Sequence, residues 1–492
     1  MTSISSVGSG LLAGFTASLT SANLRPPAVA AQTEDSAPTP STRVTLDSQP
    51  AIDVVYTRPV PAGESLSSTA RAWASPPQDD ISALMSRNVK NARGSLAEQW
   101  RGLGGAMLSR FASTPTNYRQ AMVDYMAPGA AGATSALGTQ ALSGVQDGAA
   151  RVSLKIQTRS GETVELTLLV NTGAGGGNRG LQVEITSSGK LSATERDALA
   201  KLADGFDQAL EGLGQGRPQL DLSGLMGYDS SVLSRVDLSV QNPVPAQALS
   251  AFTLRLDGSQ KSVAITGASG EIALNLDLTT PMGATSAQQR QAAIAQHLQQ
   301  FDAAAQRSHA DAALVALFKD AFTQLHATPP GQAAPQADAL SRTLGKQVQP
   351  MLSGLMDFEA RFGGDFEKTN DLGFVNEMGR ADYQLSQKTS MQHHGTTGDV
   401  SLSQTQSEQL TAHYLQSRHG GMLDISDGNY DITKIRDRNT TTTLIETAKD
   451  MLTSAVKHTD QQQLLTWEKL VNSRVKEQRE TPVNKLFSER LY

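Results

Sequence analysis

The chain has 492 residues, a formal net charge of −6 and no cysteine. Its length allows roughly two to four domains. The absence of cysteine excludes disulfides, thiolate nucleophiles, thiolate zinc sites and iron–sulfur clusters. Acidic and basic residues are interspersed without long runs of one sign, which argues against a nucleic-acid-binding surface.

Residues 1–78 are rich in Pro, Ser, Thr and Ala and lack sustained periodicity, so we predict a disordered polar leader. The first 33 residues carry Arg25 as their only charge. That composition resembles the export signals of type III and flagellar-type secretion systems; an ordinary disordered start is the alternative. The chain shows no cleaved secretory signal and no transmembrane segment, so we expect a cytoplasmic protein or one exported without a cleaved signal peptide.

Residues 79–127 are predicted to be a helical segment. Asp79 and Asp80 can cap a helix whose apolar stripe extends to Phe111, as one helix or as two with a bend at the intervening glycines. A further short helix is predicted after Pro115, and residues 127–149 are predicted to be a linker. The stripe of that further helix consists of Tyr118, Met122, Tyr125 and Met126.

Residues 151–326 are predicted to form an antiparallel sheet with helices, as two meander-helix units. Each unit has three runs of alternating apolar and polar residues, which predict strands with one buried face. A capping box then opens a helix in each unit, at Ser192 with Glu195 and at Ser286 with Gln289. The runs cover residues 152–156, 164–170 and 181–185 in the first unit, and 252–256, 263–265 and 272–278 in the second.

One glycine-rich stretch has the spacing of a nucleotide-binding motif, G-x-G-x-x-G at Gly175, Gly177 and Gly180. A dinucleotide site requires the glycine turn to lead directly into a helix, whose N-terminal N–H groups bind the pyrophosphate. Here the turn leads into "LQVEIT", which alternates like a strand. We therefore predict the tip of a β-hairpin, and no cofactor site.

Residues 337–492 are predicted to be a helix over 340–358 followed by a Thr/Gln-rich region that contains sheet. The segments "ADYQLSQKTSMQHH" and "DVSLSQTQSEQL" alternate and are joined by "GTTG", and "SDGN" marks a later turn. From Thr440 onward the spacing of apolar residues favours a helix, whereas the Thr run favours a strand.

No catalytic, cofactor-binding or metal-binding residue can be nominated. The nearest approach to a serine nucleophile motif, "GASGE", has Glu271 in place of the second glycine. His393 and His394 are adjacent, so on a strand they would point to opposite faces and could not share a metal ion. The turn at Asp427 lacks the earlier side chains that calcium would require.

Three stretches carry a resemblance: "LGGAMLSRFASTPTNYRQAM", "LSATERDALAKLADGFDQALEGLGQG" with "LDLSGLMGYDSSVLSRVDLSV", and "ADYQLSQKTSMQ". Together they are similar to a family of uncharacterised proteobacterial proteins common in pseudomonads, over roughly residues 80–480. The resemblance implies a polar leader, a sheet-rich middle and a C-terminal sheet, which conflicts with a helix after Thr440. Some members carry the label "lactate dehydrogenase", for which this chain shows no Rossmann unit.

We therefore expect an α+β fold in which antiparallel β-meanders pack with helices, plus the disordered N-terminal leader. The leading functional hypothesis is a non-enzymatic interaction protein with an unidentified protein partner, exported or surface-associated, and in its sharper form a type III-like effector. The alternative is an enzyme, either a hydrolase whose acidic residues meet only in the fold or the labelled dehydrogenase. The sequence leaves the oligomeric state open.

Overall fold

The computed structural model describes residues 68–91, 96–127, 134–173, 178–244, 248–279, 286–327, 342–394, 399–449 and 451–492. In these residues, fifteen strands form one antiparallel sheet that packs with helices, which confirms the predicted α+β class. Most of the predicted leader, residues 1–67, lies outside the described residues. The leader prediction is wrong at its end, because Ser68–Trp73 already forms a strand.

The N-terminal third begins at this edge of the sheet. Its first helix begins with a polar cap, since the carboxylate of Asp79 accepts a hydrogen bond from the backbone N–H of Ser82 (2.8 Å). The elements are β1 (Ser68–Trp73), α1 (Asp80–Asn91), α2 (Leu96–Trp100), α3 (Leu103–Ser113), β2 (Tyr118–Ala127) and α4 (Thr134–Ser143).

The middle of the chain consists of the two predicted meander-helix units, joined by one further strand. Both predicted capping residues are confirmed, since the hydroxyls of Ser192 and Ser286 accept hydrogen bonds from the backbone N–H groups of Glu195 and Gln289. The elements are β3 (Ala150–Thr158), β4 (Thr163–Thr172), β5 (Arg179–Ser187), α5 (Ala193–Leu213), α6 (Ser223–Met226), β6 (Leu233–Gln241), β7 (Ala251–Asp257), β8 (Gln260–Gly267), β9 (Gly270–Asp277), α7 (Ala287–Ser308) and α8 (Ala312–Ala327).

The C-terminal part is dominated by strands of 17 to 21 residues, much longer than the mean strand of about five or six. The elements are α9 (Arg342–Val348), β10 (Asp357–Thr369), β11 (Val375–His394), β12 (Asp399–Ser417), β13 (Tyr430–Ala448), β14 (Met451–Val471) and β15 (Arg474–Arg490). The strand order across the sheet is β1-β2-β5-β4-β3-β6-β7-β8-β9-β10-β11-β12-β13-β14-β15. From β6 onward each strand therefore pairs with its neighbour in the chain.

The main hydrophobic core lies between one face of the sheet, here called the helix face, and helices α1, α3, α5, α7 and α8. Alternation places the strand residues of this core on a single face, as in β3, where Val152, Leu154 and Ile156 are fully buried. A small separate cluster packs α9 against the same face near the ends of β12, β13 and β14. Helix α4 instead packs against Val123 and Tyr125 of β2, on the opposite face.

The helix predicted after Pro115 is wrong, because Tyr118–Ala127 is strand β2. Both faces of this strand are buried, Met122 under the main core and Val123 under α4, so its sequence shows no alternation. The polar Gln120 is also buried there, where its amide donates hydrogen bonds to Ser75 and Ser82. The predicted linker at 127–149 is wrong in part, since it contains α4.

The predicted helix over 340–358 is too long. Within the described residues it covers only Arg342–Val348, a short 3-10 turn with Pro350 follows, and β10 begins at Asp357. The helix favoured after Thr440 is wrong, and the sheet implied by the family resemblance is present. Ala448 ends β13 and pairs with Met451 of β14, so the apparent stripe spans a two-residue hairpin turn.

The glycine-rich stretch is the connection of an antiparallel hairpin, as predicted. Strand β4 before it pairs with β5 after it, and Gly180 is the second residue of β5. A side chain at Gly180 would meet Val145, because a Cβ built there lies 2.8 Å from a Val145 methyl group. Close packing therefore explains this glycine; Gly175 and Gly177 lie outside the described residues.

Candidate functional site

The long strands β11–β15 align their polar side chains in rows across the helix face. The register places Glu408 of β12 beside Asn439 of β13, which lies beside Gln461 of β14, which lies beside Lys485 of β15. The next row contains Asp437 and Gln463. Between the main core and the small cluster under α9, the helix face is therefore polar.

A cleft of about 230 Å³ opens where α7 passes over these rows. Helix α7 forms one wall and strands β12, β13 and β14 form the floor. The side chains at the cleft are mostly polar, and two alanines of α7 leave the space open. They include Gln300, Ala303, Arg307, Glu408, Asn439 and Gln461.

Most charges at the cleft are already paired. The guanidinium of Arg307 donates two hydrogen bonds to the carboxylate of Asp437, one of them 3.0 Å long. Glu408 accepts a hydrogen bond from the hydroxyl of Tyr383 (3.0 Å) and another from the amide of Asn439 (3.3 Å). Burial, together with the charge of Glu408, raises the pKa of Tyr383 well above its ordinary value, so this hydroxyl stays a donor.

A second polar group joins the end of α7 to strands β10 and β11. His309 ends the helix in the left-handed region (φ 60°), and its Nδ1 donates to Glu377 Oε1 at 2.6 Å. Lys368 Nζ lies 3.2 Å from the same oxygen, and the ring of His309 stacks on Tyr414 with centroids 4.4 Å apart. A histidine that is oriented by a carboxylate can act as the general base for a hydroxyl nucleophile. No hydroxyl group of the described residues is hydrogen-bonded to His309, however. We therefore interpret this group as a structural clamp.

Two histidine–serine pairs lie on the opposite face of the sheet. His458 Nδ1 is hydrogen-bonded to Ser488 Oγ at 2.7 Å, and His394 Nε2 to Ser401 Oγ at 2.8 Å. Both pairs are exposed contacts between neighbouring strands. Asp460 bonds to Gln462 and not to His458, so no catalytic triad is assembled around His458.

Strand β15 is the most exposed element of the sheet. It is the last strand in the order, and no described strand pairs with its outer edge. Side chains on both of its faces are exposed, including Leu486 at 82%, Phe487 at 53% and Val475 at 52%. A strand with a free edge and two uncovered faces is typical of a surface that another chain can meet.

The sequence nominated no site residue, so Glu408, Asn439 and Arg307 were missed. The available signal was the strand "DVSLSQTQSEQL", in which Leu402 and Leu410 mark the buried face and Glu408 occupies the same face. An acid at a core position of an alternating strand indicates a buried polar site. His393 and His394 lie on β11 as adjacent residues, and the described residues contain no group of acids and histidines suited to a metal ion.

No protein-family model, no curated protein and no solved structure matches this chain. None of the helices in the described ranges combines the length and the apolar character needed to span a membrane. Function is therefore inferred from the geometry of the C-terminal strands.

Proposed function

We propose that this protein is a non-enzymatic interaction protein that associates through strand β15, with a second copy of the chain as the partner at this edge. The observation that carries the proposal is the free outer edge of β15, whose side chains are exposed on both faces. A free edge presents unpaired backbone N–H and C=O groups, which favour pairing with another strand.

Two copies related by a two-fold axis would pair their β15 strands antiparallel. Directly opposite residues must then lie on the same face. In the regular part of the strand, an even-numbered residue therefore pairs with an even-numbered one and an odd-numbered residue with an odd-numbered one. With Thr481 on the axis, residues 477–485 pair without interruption, because β15 carries a β-bulge between Val475 and Glu477. On the helix face this register places Glu477 opposite Lys485, twice.

The neighbouring registers are less favourable. With Pro482 on the axis, Arg479 lies opposite Lys485, and with Glu480 on the axis, Glu480 lies opposite its own copy. Like charges placed directly opposite are destabilising. An axis at Asn484 also avoids like charges, pairs residues 478–490 and places Arg479 opposite Glu489, so it is the competing register. We take the register with Thr481 on the axis as the proposed one, because it places Glu477 opposite Lys485 at both symmetric positions.

Pro482 restricts which strands can pair here. It lacks a backbone N–H, so each copy loses at most one hydrogen bond at this position. Proline and charged side chains on an edge strand oppose pairing with unrelated strands. A second copy is the partner whose charges match this pattern, because Glu477 meets Lys485 at both symmetric positions.

Sedimentation velocity over a range of protein concentrations tests the proposal. We expect a reversible dimer, and Glu477→Lys or Lys485→Glu alone should weaken it about tenfold or more by opposing like charges. The double variant Glu477→Lys with Lys485→Glu restores opposite charges and should restore the dimer. Glu165→Lys, on an exposed position of β4, is the control that should leave it unchanged. A chain that stays monomeric throughout, or a dimer insensitive to both single reversals, would contradict the proposal.

A further inference from the structure

The cleft beneath α7 contains a negative charge that has no positive partner within the described ranges. This charge takes no part in the proposed association through β15. The two arginines and two acidic residues at the cleft differ in whether their charges are neutralised. Arg307 is neutralised by Asp437, and Arg438 is exposed, since it alternates away from Asp437 and Asn439 along β13. Among the described residues, Glu408 has only neutral partners, Tyr383 and Asn439. The cleft therefore carries one carboxylate whose charge is offset by no cation in the described part of the chain.

The amide of Asn439 adds an unused acceptor beside this carboxylate. Its orientation is fixed, because only Nδ2 can donate to Glu408, so Oδ1 must face the other way. Oδ1 is buried and has no hydrogen-bond partner in the described residues. A buried acceptor without a partner costs free energy, and a ligand with N–H groups would satisfy it.

The remaining amides at the cleft suit a ligand that also carries a hydroxyl or a similar polar group. Gln300 accepts from His297 Nδ1 through its Oε1 (2.8 Å), which leaves its Nε2 as a donor. Gln461 and Gln463 add further amides to the floor of the cleft. At about 230 Å³ the space exceeds the ~150 Å³ cavity that holds benzene.

We propose that this cleft binds a small organic cation whose primary ammonium group contacts Glu408 and Asn439 Oδ1. The ammonium supplies three N–H donors and the positive charge that the cleft lacks. The amides of Gln300, Gln461 and Gln463 bind the polar far end of the ligand. This site is separate from the outer edge of β15, so it stands independently of self-association.

Two probes isolate the ammonium group: 4-aminobutan-1-ol, and butane-1,4-diol, in which a hydroxyl replaces the ammonium. Saturation-transfer NMR titrations of the full chain measure their binding. We expect the amino alcohol to bind at least about tenfold more tightly than the diol, since a hydrogen bond to a charged group is the stronger kind. Glu408→Gln keeps the shape of the side chain, removes its charge and should abolish this preference.

A second variant tests the binding site independently, in case Glu408→Gln does not fold. Ala303→Leu lies on the exposed surface of α7, where leucine favours the helix, and its side chain fills the mouth of the cleft. It should block both probes without unfolding the protein. Glu165→Gln removes an exposed charge far along the sheet and should leave binding unchanged.

Three results would overturn the proposal. The first is that the amino alcohol shows no saturation transfer with the unmodified chain. The second is that the amino alcohol and the diol bind equally well. The third is that Glu165→Gln weakens binding as much as Glu408→Gln, which would indicate general attraction to an acidic surface.

Discussion

The strands under the helices and the strands at the C-terminal edge belong to one sheet but are stabilised differently. In β3, every second side chain is buried, and Val152, Leu154 and Ile156 lie in the main core. In β15, side chains on both faces are exposed, and the strand is held by its ladder with β14 and by contacts such as Arg479 over the ring of Trp467 (5.5 Å). Stability is therefore concentrated under the helices, and the edge is available for contact with other molecules.

The largest expected difference between the two regions comes from deleting a phenyl ring in each. Phe318 is fully buried and lies 4.8 Å, between centroids, from Phe301, whereas Phe487 is about half exposed. Phe318→Ala should cost about 3–5 kcal/mol of unfolding free energy through lost burial and a cavity. Phe487→Ala should change it by less than about 0.5 kcal/mol. Urea unfolding followed by circular dichroism measures both, and equal losses would contradict the division into two regions.

Replacing a glycine by alanine in each region should show the same contrast, with a smaller change in the free energy of unfolding. A Cβ at Gly205 of α5 would lie 2.6 Å from the backbone of Gly224, so backbone would have to shift. Gly205→Ala should therefore lower stability by about 1–3 kcal/mol. At Gly421, in the loop after β12, a Cβ would meet nothing within 4 Å. Gly421→Ala should leave the urea midpoint almost unchanged; a matching loss there would count against the comparison.

A buried histidine should make the covered region sensitive to acid. Burial, together with the nearby His297 and Lys261, lowers the pKa of His326 to about 3, below its ordinary value of 6.5. The unfolded chain then binds the proton more readily than the folded chain, so stability falls as the pH drops from 6.5 toward 3. His326→Phe removes this loss and should flatten the pH profile of the urea midpoint in that window. His413→Gln, on the exposed side of β12, should leave the slope unaltered.

The smallest of these effects concerns the cap of α5. Glu195 accepts hydrogen bonds from Ser160 and from Ser192, which lower its pKa to about 2. Its stabilising contribution is complete above its ordinary pKa of 4.5 and is lost as the pH falls toward 2. Ser192→Ala should cost about 1 kcal/mol at neutral pH. Thermal unfolding at pH 7 and pH 2 would show a smaller penalty at the lower pH, where the folded carboxyl is half protonated, and a constant penalty would disprove the role of the carboxylate.

The sequence predicted the middle of the fold well because most strands there, such as β3 and β9, bury every second side chain. It failed at β2, where Val123 and Met122 are buried on opposite faces and Gln120 occupies a core position. It failed again after Thr440, because Leu444 is 40% exposed and Ile445 is fully buried, so apolar residues do not mark one face. Periodicity detects only a single buried face.

The cleft could be anticipated only in part. Glu408 is the acidic residue among the polar positions between Leu402 and Leu410 on the buried face of β12, which is visible in the sequence. Its partner Asn439 is brought beside it by the β12–β13 register, and Arg307 reaches the cleft from a helix about a hundred residues earlier in the chain. Neither pairing follows from the local pattern, because the register of strands and the position of a helix over them depend on the whole fold.

The most direct test of the central claim uses the absence of cysteine in the chain. In the proposed dimer Thr481 lies opposite its own copy, and opposed Cα atoms of antiparallel strands are about 4.5–5.5 Å apart, within the range that a disulfide spans. Thr481→Cys should therefore give a covalent dimer on mild oxidation, whereas Val483→Cys, whose copies lie roughly 13 Å apart along the strands, should not. Equal cross-linking of the two variants, or none with Thr481→Cys, would contradict association through β15.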